Sequence, residues 1–445
     1  MNIGLLDHMG YGNLGDAATQ EALIANIRAR VPDARIIGFS LNPVDTEKRH
    51  GIPSYSITNW HPGLDRPAAA AGSSNNGRQT WRLKSFLKKI PVLSPMLLWG
   101  QNLLRELRHL ARSFFRVKSL DALIIAGGGQ LCELWHGPWS HPYNVFKFSL
   151  LTKLARKKLL IVNVGAGPLE SPLAKAFIKW SVRLADYVSF RDVESQALVC
   201  ALGIRRQTWI CPDSAYALDV SCYGMRDAAT GHKPLVGINP IGFCDPRIWP
   251  KQDASAYSRY LDALAESLQW LWEQGYRLKV FSGERSVDMY ALEDLKARME
   301  TGLPKSDVAR IFMPPDENVK DLLTAMSEFD YVITSKFHGV VFSHLLEKPV
   351  VAISYHRKIN DLMRTVGDSE RCLNIESFDG KSFQQAFETM VENAGTLQGK
   401  YRQTVASNAR QLDMQFDHLF TPKGLEPRSR LLNPATNEIV DRKSA

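Results

Sequence analysis

The feature that most constrains this chain is an alternation of short apolar runs with segments of helical periodicity, and it occurs twice. The apolar runs are residues 2–6, 34–39, 122–126, 159–164 and 187–190 in the first half, and 235–239, 278–282, 331–334 and 350–354 in the second. Short apolar runs that are bounded by turns and followed by helices are typical of parallel strands covered on both faces. The sequence therefore predicts an α/β protein built on parallel sheets.

A polar stretch around residues 222–234 separates the two halves and predicts a domain boundary. We expect two doubly wound, Rossmann-like domains in tandem, over residues 1–225 and 226–420, and a poorly ordered tail over 421–445. Two such domains with a central cleft form the architecture of the B-type glycosyltransferases. Because these sheets bind ligands at the carboxyl ends of their strands, we expect the functional site in the cleft.

The positive charge of the chain is concentrated in one segment. The formal net charge is +9, and residues 78–118 alone hold ten Lys and Arg against a single acid, Glu106. Bulky apolar residues alternate with the basic ones, which is typical of a helix on a membrane surface. The alternatives are a helical insertion (residues 61–118) with a solvated basic face, entered through a linker at 61–80, and a nucleic-acid contact. Because nothing else here resembles a nucleic-acid-binding module, we expect no nucleic-acid partner.

Several classes of protein are disfavoured by what the sequence lacks. The six Cys residues are scattered without a CxxC pair, which argues against a structural zinc site or a disulfide framework. Asp7 interrupts the first apolar run early, and no run approaches the ~18 residues that would span a bilayer. We therefore expect no metal site and a cytoplasmic protein, with peripheral contact at the inner face of the membrane if the basic segment binds lipid.

Two glycine-rich turns follow predicted strands. Gly10, Gly12 and Gly15 match a G-x-G-x-x-G spacing, but the next strand ends in Ser40 and not in the acid that dinucleotide binding requires. Gly127–Gly129 either makes a tight turn only, or lets backbone N–H groups approach an anion at a helix start. Gly128 and Gly129 are therefore candidate binding residues.

The most specific candidate site is Thr334-Ser335-Lys336-Phe337-His338-Gly339. It follows the strand at 331–334 and precedes a predicted helix at 340–346, so it places a capping hydroxyl (Thr334 or Ser335), a cation and an imidazole at one helix start. A phosphate bound there would be neutralised by Lys336, and His338 would be within reach as a proton donor. The alternative is that His338 is only a satisfied structural residue.

Further cations follow two other strands. Arg191 ends the strand at 187–190, and Tyr355 and Lys358 follow the strand at 350–354. Arg191 suits bidentate recognition of a carboxylate, although a salt bridge to Asp192 or Glu194 would also explain it.

These motifs resemble those of the polysaccharide pyruvyl transferases, and the resemblance covers most of the chain. It is carried by Gly12 to Asp16 (with Asn13), Gly127-Gly128-Gly129, Gly165-Ala166-Gly167-Pro168, Ser189-x-Arg191-Asp192, Cys211-Pro212-Asp213, Ser335-Lys336-Phe337-His338-Gly339 and Tyr355-x-x-Lys358. The last two blocks are the most specific. The family usually has Arg where this chain has Lys336, which replaces a bidentate contact by a point charge.

The resemblance implies transfer of pyruvyl from phosphoenolpyruvate to a saccharide as a ketal, without a cofactor, in cell-surface polysaccharide biosynthesis. It implies that Arg191 and Lys336 hold the donor and that His338 protonates it. The first domain would carry the acceptor and the second the donor. Asp16, Glu133 and His136 are the candidates to accept the proton of a sugar hydroxyl, and the acceptor is expected to be lipid-linked.

Two alternatives come from other classes of function. One is a B-type glycosyltransferase that uses a nucleotide sugar, with Lys336 at the diphosphate. The other is a non-catalytic anion-binding or membrane-scaffold protein.

Overall fold

The fold is known from a computed structural model that describes residues 1–7, 12–59, 93–134, 137–223 and 233–421. The strands are β1 Asn2–Leu6, β2 Arg35–Ser40, β3 Ser54–Ser56, β4 Ala122–Ala126, β5 Lys158–Val164, β6 Tyr187–Phe190, β7 Trp209–Ile210, β8 Leu235–Asn239, β9 Arg277–Val280, β10 Tyr331–Thr334, β11 Val350–Ser354 and β12 Cys372–Asn374. The helices are α1 Leu14–Arg30, α2 Pro43–His50, α3 Leu93–Lys118, α4 His141–Leu154, α5 Pro172–Leu184, α6 Val193–Cys200, α7 Ala254–Glu273, α8 Arg285–Met299, α9 Lys305–Ile311, α10 Val319–Ser327, α11 Phe337–Leu345, α12 Arg357–Thr365, α13 Gly380–Glu392 and α14 Ala394–Leu419. Short 3-10 helices occupy Ser214–Ala217 and Ser369–Arg371.

Two parallel sheets form the centre of the molecule. The first has the strand order β3-β2-β1-β4-β5-β6-β7 and the second has the order β12-β11-β10-β8-β9. Each sheet reverses its winding once, between β1 and β4 in the first and between β8 and β10 in the second. The predicted α/β class, with two doubly wound sheets, is therefore confirmed. A ligand site is expected at the carboxyl ends of the strands beside each reversal.

Burial of the strands explains why their sequences are apolar throughout. All residues of β4, β5 and β8 are buried, because helices cover both faces of the sheets. The predicted bounds of β4, β6, β8, β10 and β11 agree with the structure, whereas α11 begins at Phe337 instead of residue 340. This earlier start puts His338 within the first turn of the helix.

The last helix, α14, follows the second sheet in the chain but also packs on the first. Gln415 is buried and its amide bonds to Asn163 of β5 and to Tyr187 and Ser189 of β6, each at 2.9 Å. Near the same end, Arg30 of α1 pairs with Asp413 at 3.0 Å. The end of the described chain therefore ties the two halves together.

The basic segment is helical where the structure describes it. Helix α3 spans Leu93–Lys118 and packs against α4. Its own residues Ser113 and Val117 are buried. Outside the described residues lie the predicted linker at 61–80, the basic residues of the segment before 93, Gly10 and the tail beyond Thr421. In the described part of the chain, no helix combines the length and apolar content needed to cross a bilayer.

Candidate functional site

A cavity of about 680 Å³ opens between the carboxyl ends of the two sheets. Residues from both halves line it, because the loops after β1, β4, β5, β6, β8, β10 and β11 all end there. Ten of the predicted site residues line this cavity: Asn13, Asp16, Gly129, Arg191, Lys336, Phe337, His338, Gly339, Tyr355 and Lys358. Residues more than 300 positions apart in sequence therefore share one chamber.

His338 lies in the cleft between the halves. Its side chain is 13% exposed, and its Nε2 atom is 3.7 Å from Oδ2 of Asp213 and 3.5 Å from the Thr19 hydroxyl, both in the first half. The imidazole also packs so closely on Gly15 that a Cβ there would lie 2.1 Å from Nδ1. His338 is thus part of an interdomain contact at the cavity wall, not a residue of an apolar interior.

Asp213 connects His338 to Arg191. Its carboxylate accepts a hydrogen bond from Nη1 of Arg191 at 3.0 Å, and the two side chains are only 1% and 4% exposed. Burial by itself raises the pKa of Asp213, but the nearby His338, together with the charge of Arg191 and the Ala215 N–H, holds that pKa well below its usual range. Asp213 is therefore held as a carboxylate between the guanidinium and the imidazole.

Arg191 retains capacity to bind a ligand. Its Nε atom is buried without a hydrogen-bond partner in the described part of the chain, although Asp192 is 3.7 Å away. The guanidinium lies over the Phe337 ring at 4.2 Å, a cation–π contact across the cleft. The predicted alternative, a salt bridge to Asp192, is thus present at 3.7 Å, and Asp213 is a second and closer partner that the sequence did not indicate. The Nε–H has no hydrogen bond among the described residues and is available to an anionic oxygen.

The start of α11 offers backbone donors to the cavity. Lys336 is the N-cap residue, and no side chain caps the helix among the described residues. The predicted capping hydroxyls act elsewhere, since Thr334 accepts from the Lys336 N–H at 3.1 Å and Ser335 bonds the Tyr260 hydroxyl at 3.1 Å. The first N–H groups of α11, at Phe337, His338 and Gly339, have no intrahelical acceptor and suit an anion.

Lys336 is not a free cation. Its ammonium lies 2.6 Å from Asp288 and 3.2 Å from Glu284, and Asp288 is fully buried. Burial by itself lowers the pKa of Lys336, but the two carboxylates outweigh it and raise that pKa above its usual range. The expected neutralisation of phosphate by Lys336 therefore competes with two protein carboxylates.

Lys358 also lines the cavity. Unlike Arg191 and Lys336, it has no carboxylate within 4 Å in the described part of the chain. Its backbone N–H donates to Nδ1 of His356 at 3.2 Å, so His356 caps α12. Burial, with the charges of Lys358 and Arg191, lowers the pKa of His356 to about 4. His356 is therefore neutral near pH 7, with its proton on Nε2, and is a hydrogen-bond donor to the cavity.

The remaining predicted residues are placed differently. Glu133 is not among the cavity-lining residues, and its carboxylate instead accepts from Ser171 and from the Glu170 N–H before α5. Ser335 and Gly128 also do not line the cavity, although Gly128 adopts a φ of +58° beside Asp16. His136 lies outside the described residues.

Four further residues belong to the site although the sequence analysis gave none of them a role there: Asp213, Thr19, Gly15 and His356. Asp213 had a signal, because the Cys-Pro-Asp motif was visible in the sequence. Gly15 and Thr19 act through contacts to a residue of the other half, which no local pattern encodes. Among the described residues, no group of three His, Cys, Asp or Glu side chains is arranged to hold a metal ion.

Comparisons with solved structures agree with this architecture. A Listeria monocytogenes protein assigned as a UDP-N-acetylglucosamine 2-epimerase is 10% identical, with a TM-score of 0.56 over 94% of this chain and 96% of that chain. The S. aureus MnaA–UDP structure is 9% identical, with a TM-score of 0.51 over 90% of both chains. At these identities the similarity shows the shared fold alone.

Sequence comparisons point to a family. The amylovoran biosynthesis protein AmsJ of Erwinia amylovora is 22% identical over 275 residues, which is 59% of this chain and 63% of AmsJ. The alignment thus covers less than two thirds of that relative. The family model for polysaccharide pyruvyl transferase matches residues 13–357, a range that includes Asn13, Arg191, Asp213 and His338. On this match, which takes in most of the chain, the protein belongs to the polysaccharide pyruvyl transferase family.

Proposed function

We propose that the protein transfers the pyruvyl group of phosphoenolpyruvate to two hydroxyl groups of a saccharide and forms a ketal. Family membership and the chemistry of the cavity support this reaction. The observation that carries the proposal is the Arg191–Asp213–His338 chain, in which a buried carboxylate links a guanidinium to an imidazole across the cleft. An anion-binding group and a proton donor are the two functions that an enol phosphate requires.

The donor fits the cationic end of the cavity. Phosphoenolpyruvate carries a carboxylate and a phosphate, and the Nε edge of Arg191, which makes no hydrogen bond among the described residues, would bind one of them. Lys358, the Nε2–H of His356 and the first N–H groups of α11 belong to residues that line the same cavity and would bind the other. Lys336 then serves mainly to hold the loop after β9 against α11, through Glu284 and Asp288.

The reaction requires one proton delivered to carbon. His338 gives its proton to the methylene carbon of the enol, and the central carbon acquires oxocarbenium character. The first sugar hydroxyl adds to that carbon, the C–O bond to phosphate breaks, and the second hydroxyl closes the ketal. Of the two hydroxyl protons released, one restores His338 and the other leaves on phosphate, so atoms and charges balance. Asp16, which lines the cavity, is the candidate to accept the first hydroxyl proton.

Phosphate release tests the proposal. The protein is incubated with phosphoenolpyruvate and a panel of methyl hexopyranosides and exopolysaccharide-derived oligosaccharides, and inorganic phosphate is followed together with the mass of the acceptor. We expect phosphate release coupled to a pyruvyl ketal on at least one acceptor. Tight binding of a UDP- or GDP-sugar, with glycosyl transfer and no phosphate release, would instead identify a nucleotide-sugar glycosyltransferase.

The biological setting follows from the named relative. AmsJ is a biosynthesis protein of amylovoran, which supports a role for this protein in exopolysaccharide or cell-surface polysaccharide synthesis. In this setting the acceptor is a lipid-linked saccharide at the cytoplasmic face of the membrane. Purified lipid-linked oligosaccharide and its delipidated counterpart, compared as acceptors, test this assignment.

A further inference from the structure

The cavity extends from the cationic end towards a second lobe in the first half of the chain. This lobe is lined by Glu106 of α3 and by Trp139, Tyr143, Asn144 and Lys147 at or near α4. It contains an aromatic surface, the amide of Asn144 and a cation, Lys147, that is paired with the carboxylate of Glu106, whereas the opposite end contains Arg191 and Lys358. A lobe of this composition suits a neutral, hydroxyl-rich ligand.

Glu106 is held rigidly at the wall of this lobe. Its Oε1 atom accepts from the Tyr143 hydroxyl at 2.8 Å and from the Lys147 ammonium at 3.3 Å. The Lys147 side chain is only 2% exposed, so its ammonium is largely desolvated where it contacts Glu106. This burial lowers the pKa of Lys147 below its usual value. Both described partners bind one carboxylate oxygen, and the other is left for a hydroxyl group.

Two more observations point to a ligand in the lobe. Trp139 is 65% exposed although its ring contacts Tyr143 with centroids 5.4 Å apart, so a large apolar face is open to solvent. Asn144 is buried and its amide nitrogen has no hydrogen-bond partner in the described part of the chain. An orphaned donor at a cavity wall is a group that a ligand oxygen would satisfy.

We propose that this lobe is the saccharide subsite, with Trp139 as the stacking surface for a pyranose ring and Glu106 as the acceptor of a sugar hydroxyl hydrogen bond. The inference rests on the proposed function only in naming the saccharide as the acceptor. Glu106 is offered as a binding residue, separate from the proton transfer assigned to His338.

Saturation-transfer difference NMR with methyl hexopyranosides tests this subsite without turnover. We expect signals from at least one glycoside in the wild type, and a loss of at least tenfold in affinity in Glu106→Gln, since hydrogen bonds to charged groups contribute roughly 1.5–3 kcal/mol. Trp139→Ala is the second variant, because an exposed side chain can be removed without unfolding the protein. Glu293→Gln, at an exposed position on α8, is the control.

The outcomes separate this inference from the proposed function. Wild-type binding in Glu106→Gln and Trp139→Ala, or no signal from any glycoside, would overturn the subsite even if phosphate release is observed. Glycoside binding that depends on both residues, without any phosphate release, would support the subsite and contradict the pyruvyl transfer.

A different observation concerns the outer face of α3. Leu104, Leu107 and Phe115 lie on one side of this helix at helical spacing and are 55%, 52% and 68% exposed. A row of exposed arginines, Arg105, Arg108 and Arg112, flanks them and also follows the helical spacing. The single acid of the helix, Glu106, faces the cavity instead. The outer face therefore combines exposed apolar side chains with charged side chains that are all cationic.

The next two helices in the packing order, α4 and α5, also expose apolar groups. Leu150 and Leu154 of α4 are exposed, as are Leu173 and Trp180 of α5. Arg183 of α5 lies 5.4 Å over the Trp180 ring, which again combines a cation with an exposed aromatic group. Large exposed apolar groups interleaved with Arg are what a helix at the boundary of headgroups and acyl chains presents.

From this arrangement we infer that the outer face of α3, α4 and α5 binds the surface of an anionic membrane. A second copy of the chain is disfavoured as the occupant, because two such faces would bring rows of arginines against each other. Because Glu106 is on the opposite side of the same helix, a membrane-bound α3 would also be a wall of the saccharide lobe. A lipid-linked saccharide could then reach the lobe while its lipid stays in the bilayer.

Vesicle flotation tests the membrane inference independently of catalysis. We expect the protein to float with vesicles of phosphatidylcholine and phosphatidylglycerol, to bind pure phosphatidylcholine far less, and to be released by salt. The triple variant R105Q/R108Q/R112Q should weaken binding by about a hundredfold, since each basic residue near an anionic surface contributes about 1 kcal/mol. The matched control, R259Q/K305Q/R410Q, removes three exposed charges of the second half.

Three results would overturn this inference. They are equal binding to neutral and anionic vesicles, wild-type binding by R105Q/R108Q/R112Q, and concentration-dependent dimerisation that Leu104→Gln and Phe115→Gln abolish. The last result would identify a second copy of the chain as the occupant of the face.

Discussion

At the scale of single residues, the site depends on a few groups whose charge is set by their neighbours. Asp213 stays ionised because Arg191 and His338 both contact it, and it is buried with Arg191. Lys336 forms ion pairs with Glu284 and Asp288, and it therefore stabilises the structure beside the site. The role of each charged residue in the cavity thus depends on the partners that the tertiary structure provides.

Replacement of His338 by Ala tests the proposed proton donor. We expect phosphate release from phosphoenolpyruvate to fall by roughly 10²–10⁴-fold, the usual loss when a general acid is removed. Binding of phosphoenolpyruvate, measured by calorimetry, should change little, because Arg191 and Lys358 remain. His418→Asn, on α14, is the control. Unchanged turnover in His338→Ala would remove this residue from the mechanism.

Asp213→Asn should destabilise the protein at neutral pH. It leaves the buried guanidinium of Arg191 with only the more distant Asp192, at 3.7 Å, as a charged partner, and breaking a buried ion pair costs about 3–5 kcal/mol. Because the pKa of Asp213 is lower in the folded than in the unfolded protein, its stabilising effect is present above the ordinary carboxyl pKa of 3.8 and is lost as the pH falls below it. Urea unfolding at a series of pH values checks this, since the variant should lose less stability in acid than the wild type.

At the scale of elements, two helix starts meet across the cleft. The first turn of α1 packs on the first turn of α11, where Gly15 lies against the His338 ring. The Leu14 N–H also donates to the Gly283 carbonyl at 2.9 Å, a backbone contact between the halves. The position of the imidazole is therefore set by a helix of the other half.

Gly15→Ala tests this packing. Alanine favours a helix by about 1 kcal/mol over glycine, so α1 itself should not suffer. The new Cβ would lie 2.1 Å from Nδ1 of His338, so the imidazole has to move. We expect a large loss of phosphate release with a folded protein.

A matched glycine provides the control for this variant. Gly399 lies within α14, and a Cβ there would meet no atom within 4 Å. Gly399→Ala should therefore leave activity unchanged and increase the free energy of unfolding slightly. Equal activities of the two variants would show that the Gly15–His338 contact has no functional consequence.

At the scale of the whole molecule, α14 connects the two halves through buried hydrogen bonds. The amide of Gln415 bonds to Asn163, Tyr187 and Ser189 of the first sheet. The helix also contacts α11, which carries His338. The relative position of the halves, and hence the shape of the cavity, depends on this crossing.

Gln415→Ala should lower the free energy of unfolding by about 3 kcal/mol, because it creates a cavity and leaves buried polar groups unsatisfied. Gln411→Ala, one turn earlier at an exposed position, should have almost no effect. The midpoints of urea unfolding compare the two variants. Equal midpoints would show that the buried hydrogen bonds of Gln415 do not stabilise the assembly of the halves.

The sequence by itself determined the fold class and most of the strands. Apolar runs such as β4 and β8 are readable because strands buried on both faces need apolar side chains at every position. The motif around His338 was also readable, since a strand followed by a helix start is a local pattern. The family follows from these same motifs.

Only the tertiary structure decided which groups are partners in the site. The pairing of Lys336 with Glu284 and Asp288, the contact of Asp213 with His338 and the contacts of Glu106 with Tyr143 and Lys147 all join elements that are distant in the chain. The return of α14 to the first sheet is of the same kind. Local periodicity reports how a segment is buried, whereas charge pairing depends on which segments meet, and that is settled only when the two sheets are assembled.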